Sequence, residues 1–147
     1  MKINTVRFGE YEYSRNDLIT FSNGIPGFKE RHEYVLVEIE ESPFIYLQSV
    51  DDGELAFIIV SPFEFFPHYE FELNDIVKTE LDVRSQNELL IFNIVSVREE
   101  LVAATVNLAA PIILNTRTKR AAQYILADSK YSIRQPLFTA TAIAGRE

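Results

Sequence analysis

Phe44-Ile45-Tyr46-Leu47-Gln48-Ser49-Val50, then Asp51-Asp52-Gly53 and, after Glu54, Leu55-Ala56-Phe57-Ile58-Ile59-Val60-Ser61, is the stretch on which the fold turns. Both flanking runs are rich in β-branched and aromatic residues, which suit a pleated, half-buried backbone. The acidic pair and glycine between them tolerate the positive φ that tight hairpin turns demand, so the two runs are expected to pair as an antiparallel hairpin.

The same signature recurs along the chain. Strands are expected at residues 3–8, 17–21, 34–38, 44–50, 55–61, 88–97, 102–107, 112–116 and 121–127, spaced about eight to twelve residues apart as in antiparallel barrels and sandwiches. In residues 88–97, Leu90, Phe92 and Ile94 fall on one face and Leu89, Ile91 and Val95 on the other, so this strand is expected to be central. One helix is expected at residues 75–83, with Asn74 as its cap and Leu73, Ile76, Val77 and Leu81 recurring at helical spacing. The reading is an all-β, mainly antiparallel, small barrel-like single domain over residues 1–147, with one short helix near residues 74–83. Residues 138–147 carry no turn signal and read equally as strand, helix or disorder.

Composition narrows the function classes. The 147 residues are 47% hydrophobic and 24% charged, as in an ordinary globular protein able to bury a core. The absence of cysteine removes disulfides, thiolate metal sites and cysteine nucleophiles, and favours a reducing, cytoplasmic setting. No apolar run is long enough to span a bilayer and none follows Lys2, so neither a membrane anchor nor an export signal is expected. The formal net charge of −8 opposes direct nucleic-acid binding. The acidic excess lies in residues 1–80, which hold 16 Asp/Glu and 6 Lys/Arg.

Catalytic signatures are missing: there is no Gly-x-Ser-x-Gly, phosphate-binding glycine loop or His-Glu-x-x-His, and the histidines are His32 and His68. An enzyme would have to use Glu70 or Asp51/Asp52 with a histidine. Glu64, His68, Glu70 and Glu72 could supply metal ligands, but a solvated face opposite a buried Tyr69/Phe71 face is the preferred reading, because any half-buried strand alternates in this way. No catalytic residue, metal or cofactor is therefore assigned. Arg117, Lys119 and Arg120 read as a solvated turn between strands.

Residues 62–72 pack five aromatics and two prolines into eleven positions. Aromatic anchors ringed by carboxylates compose a protein-docking surface, in which apolar area gives affinity and charge steers a basic partner. Completion of the core by Phe63, Phe65, Phe66, Tyr69 and Phe71 is the competing reading. Glu64, Phe65, Phe66, His68, Tyr69, Glu70 and Glu72 are the candidate partner-binding residues. In Asn23-Gly24-Ile25-Pro26-Gly27-Phe28 the two glycines and proline fix a turn, with Ile25 and Phe28 expected to plug the core. A closed cavity lined by Phe57 and the aromatics of residues 44–47 would instead make the barrel a small-molecule binder.

An ordered set of short motifs resembles the FliW family of flagellar assembly factors. It comprises Gly24-Ile25-Pro26-Gly27-Phe28; Pro43-Phe44-Ile45-Tyr46-Leu47-Gln48-Ser49 before an acidic turn; Ala56-Phe57-Ile58; and the segment ending at Tyr69-Glu70. Thr105-Val106-Asn107-Leu108-Ala109-Ala110-Pro111-Ile112-Ile113-Leu114-Asn115, then Gln123, Tyr131 and Pro136-Leu137, complete it. Ile45-Tyr46 departs modestly, since the family usually carries a more hydrophobic aromatic there. The resemblance implies a cytoplasmic, minimal β-barrel-like protein, taken here as a monomer, that binds flagellin before export. When free, it would bind the translational regulator CsrA and antagonise it allosterically, relieving repression of flagellin translation.

Overall fold

The computed structural model describes residues 1–126 and 130–138. Its strands are β1 (Lys2–Thr5), β2 (Gly9–Glu12), β3 (Ile19–Phe21), β4 (Glu33–Glu38), β5 (Ile45–Ser49) and β6 (Ala56–Val60), then β7 (Leu89–Ser96), β8 (Thr105–Val106), β9 (Ile112–Asn115), β10 (Arg120–Gln123) and β11 (Gln135–Pro136). One α-helix, α1 (Asp75–Glu80), interrupts them between β6 and β7.

Seven strands close a barrel in the order β7-β6-β5-β4-β3-β10-β9 and back to β7. Every neighbouring pair is antiparallel except β3 and β10. The expectation that β7 is central holds, and its length explains closure. One edge of β7 pairs with β6; its other edge pairs with β9 over Leu89–Phe92 and then with β8 at Val95 and Ser96. Strand β11 extends the sheet beyond β8, and β1 and β2 form a separate hairpin.

The hairpin of β5 and β6 forms as expected, with Leu47 opposite Phe57, but for a different reason. No residue from Asp51 to Gly53 adopts positive φ. Instead the Ser49 hydroxyl accepts from the N–H groups of Asp51 and Asp52, and the Gln48 amide donates to the carbonyls of Ser49 and Leu55 at 3.0 and 3.1 Å. Gly53 is needed because the β1 backbone passes over it: a Cβ there would lie 1.9 Å from the Asn4 carbonyl oxygen.

Side chains fill the barrel interior: Ile19, Phe21, Tyr34, Leu47, Ile59 and Phe92 are all buried in one cluster. Phe57 joins it, but Phe44 packs outside the barrel with Val60 and Val95, so a ligand cavity lined by both does not form. On the outer surface, Val77 and Leu81 of the α1 segment cover Ile113, while Tyr69, Val106 and Leu137 cover Val60 and Val95.

Local departures from the expected elements have local causes. The first strand ends at Thr5, whose side chain bonds Phe8 N and the Gly9 carbonyl; Gly9 at φ +63° then starts the unforeseen β2. Residues 101–103 form a 3-10 turn, leaving only Thr105–Val106 as strand. Asn74 caps α1 through Val77 N at 2.9 Å, yet the helix stops at Glu80 and Ile76 is 76% exposed, not core-facing. Ile25 is buried as expected, whereas Phe28 is exposed and leans edge-on against Phe57. The last expected strand is observed as Arg120–Gln123; its end at residue 127, like residues 139–147, falls outside the described residues.

Candidate functional site

Val60 ends β6, and Pro62 starts a 3-10 turn over Pro62–Glu64, since proline supplies no N–H to continue the ladder. The Pro62 carbonyl accepts from Phe65 N at 3.1 Å and Phe66 N at 2.7 Å, and the Phe66 carbonyl from Tyr69 N at 3.0 Å. These turns roll the ring side chains under and the carboxylates out. Phe65 and Phe66 are half-buried, and Tyr69 is only 4% exposed, while Glu64, His68, Glu70 and Glu72 face solvent. Phe63 alone among the five aromatics is exposed, at 45%.

Tyr69 anchors the segment. Its hydroxyl donates to the Leu108 carbonyl at 2.6 Å and accepts from the Asn93 amide at 3.3 Å; that amide also reaches the Asn107 carbonyl at 2.8 Å. Its ring packs against Tyr131 and Phe71, at centroid distances of 4.6 and 5.5 Å, and the Tyr131 hydroxyl accepts from Glu70 N. Burial pushes the Tyr69 phenol up to about 12, so it stays protonated as a donor at neutral pH.

The two readings of residues 62–72 therefore divide by residue. Tyr69 wholly, and Phe65, Phe66 and Phe71 partly, complete the outer core; Phe63 and the four polar residues form the surface. Residues 68–72 alternate in exposure as a strand would but, among the described residues, pair with no strand. Among the described residues no three His, Asp or Glu side chains gather in a way that could hold a metal ion.

A cleft of about 740 Å³ opens beside this surface, its apolar lining made by Phe63, Phe71, Leu73, Val83, Leu89 and Ile91. Glu70, Glu72, Lys78 and Arg84 rim it. A second cleft, of about 560 Å³, is lined by Ile94, Arg98, Glu99, Thr105 of β8, the exposed Ile133 and Arg134. Neither cleft was legible in the sequence, because each joins residues from separate elements and no local motif marks it. The one signal available was the unusual exposure expected of so dense an aromatic run.

The basic run lies at the exposed turn between β9 and β10, as expected, and of its three side chains Arg117 is tied down. Arg117 donates through Nε to Glu88 Oε1 at 2.9 Å and pairs through Nη2 with Asp82 at 3.3 Å. Burial would raise the Glu88 carboxyl, but bonds from the Arg117 side chain, Arg84 N and the Asn115 amide outweigh it and hold the carboxyl below its ordinary range. Among the described residues no helix is long and apolar enough to cross a membrane.

Comparison with known proteins matches these features to one family. The family model described as FliW protein matches residues 2–137. The flagellar assembly factor FliW of Caldicellulosiruptor bescii is 43% identical over 131 residues, covering 89% of this chain and 86% of that protein. That of Caldanaerobacter subterraneus subsp. tengcongensis is 42% identical, covering 93% of each. A crystal structure of the flagellar assembly factor FliW superposes with a TM-score of 0.88 at 35% identity, covering 95% of this chain and 98% of that one. On sequence and on fold, the chain belongs to the FliW family of flagellar assembly factors.

Proposed function

We propose that this flagellar assembly factor acts in the cytoplasm as a monomeric, non-catalytic partner switch. It consists of one FliW-like domain over residues 1–147, binds flagellin before export and, when free, binds CsrA. Binding to CsrA antagonises it allosterically and relieves repression of flagellin translation. The observation that carries this reading is the match to the family along residues 2–137, with the barrel conserved in form at a TM-score of 0.88.

The site fits protein docking rather than chemistry. Apolar side chains fill the barrel, and on the surface the exposed carboxylates of Glu64, Glu70 and Glu72 beside Phe63 suit a basic partner. Glu64, Phe65, Phe66, His68, Tyr69, Glu70 and Glu72 form the docking segment, with Tyr69 and the half-buried rings shaping it from beneath and the polar side chains making contact.

A pulldown with purified flagellin and purified CsrA tests the reading. Each is expected to be retained separately at micromolar concentration. Retention of neither contradicts it.

A further inference from the structure

Asn23 stands before a glycine that the backbone requires. Gly24 adopts φ +67°, and a Cβ there would lie 2.5 Å from Lys29 Cα, so no other residue fits this turn. Asn23 is exposed, yet its side chain is held: the amide donates to Glu80 Oε1 at 2.7 Å. Glu80 is the last residue of α1, and the chain just after it is fixed to the barrel. The Leu81 carbonyl accepts from the Asn115 amide at 2.8 Å, and Leu81 is buried. The turn that follows β3 is thus tied to the anchored end of α1.

Asparagine followed by glycine is a chemically labile pair, because glycine has no side chain to keep its own nitrogen away from the asparagine side-chain carbonyl. The sequence holds one such pair, Asn23-Gly24. Here both reacting groups are engaged. Gly24 N, the nucleophile, donates to the Phe21 carbonyl at 2.9 Å, and the amide nitrogen that would leave donates to Glu80. The flanks are fixed as well: Phe21 N donates to the His32 carbonyl at 2.7 Å, and Ile25 is buried. Cyclisation must wait for the turn to open locally, so its rate is scaled down by the fraction of time the turn is open.

We propose that Asn23-Gly24 is a self-modification site that the fold holds closed, with Glu80 as its clasp. When the turn opens, Gly24 N attacks Asn23 Cγ. The new C–N bond forms as the bond from Cγ to the side-chain nitrogen breaks, and that nitrogen leaves as ammonia with the proton from Gly24 N. Water then opens the five-membered imide at either carbonyl, leaving aspartate or isoaspartate at position 23. Either product carries a carboxylate with no N–H, so neither can donate to Glu80. Isoaspartate also adds a methylene to the backbone between Phe21 and the buried Ile25. The change runs one way, so it records how long the turn has spent open.

Peptide mapping by mass spectrometry, during incubation of the purified protein at mildly alkaline pH, tests it. Asn23 in the folded protein is expected to convert about ten-fold or more slowly than in the same chain unfolded in urea; equal rates overturn the proposal. Glu80→Ala is expected to speed conversion in the folded protein about three-fold or more, while Glu80→Gln, which keeps the accepting oxygen, holds the parent rate. A folded Glu80→Ala variant that converts at the parent rate overturns the clasp. The parent itself supplies a test that needs no variant to fold. Its Gly24 amide is expected to exchange with solvent about ten-fold or more slowly than in the unfolded chain, and an unprotected amide overturns the proposal.

Discussion

Two tyrosines with similar surroundings carry opposite expectations. Tyr69 and Tyr34 are both buried, and burial pushes both phenols up to about 12. Tyr69 has two hydroxyl partners, whereas the Tyr34 hydroxyl lies in the barrel interior with none. Removing a bonded buried hydroxyl costs about 1–2 kcal/mol, while removing an unbonded one is near neutral or stabilising. Tyr69→Phe is therefore expected to lower urea-unfolding stability by about that amount and Tyr34→Phe to leave it unchanged or raised. Because both folded-state values lie above the ordinary 10.0, the associated stability is complete below pH 10 and lost as pH rises through about 12. The thermal midpoint should hold up to pH 10 and then fall, and either substitution should shrink that fall. The sequence showed Tyr69 as one aromatic among five; its partners, Leu108 and Asn93, lie 39 and 24 residues away, which is why its anchoring role was not legible.

At the scale of elements, α1 separates what a local pattern specifies from what packing decides. The Asn74 cap was legible because it depends only on neighbours along the chain, and Asn74→Ala is expected to cost about 1 kcal/mol. The helical face was half legible. Val77 is 7% exposed and packs beneath α1, whereas Ile76 points to solvent. Val77→Ala should cost about 2 kcal/mol and Ile76→Ala less than about 0.5 in the same urea series. Similar destabilisation by both would contradict the placement of the helix. The strands follow the same division. Strand β7 was legible because both its faces are apolar. Strand β11 was not, because two residues carry no periodicity and its pairing with β8 is decided by the register of distant chain. The hairpin of β5 and β6 was placed correctly while its glycine serves the approach of β1, a contact 49 residues distant in sequence from Gly53 to Asn4.

Over the whole molecule, charge and closure act together. Closure buries the interior, and the acidic excess of residues 1–80 includes the exposed carboxylates of Glu64, Glu70 and Glu72. Steered association accelerates encounter and is screened by salt, so the association rate with CsrA should fall roughly ten-fold between about 0.05 and 0.5 M salt. Glu70→Lys with Glu72→Lys should slow it further at low salt. A salt-independent rate would remove steering from the account. The barrel class was readable from alternation, and the density of aromatics in residues 62–72 from composition; the depth of each ring and the existence of the clefts were not, since both depend on which distant strand lies beneath.

The partner switch itself is tested most directly by the anisotropy of a labelled flagellin-leader RNA bound to CsrA, followed while this protein and then flagellin are added. The account predicts that the RNA is released as this protein is titrated in, and rebinds when excess flagellin draws the protein away. RNA that stays bound at saturating concentrations of this protein would contradict it.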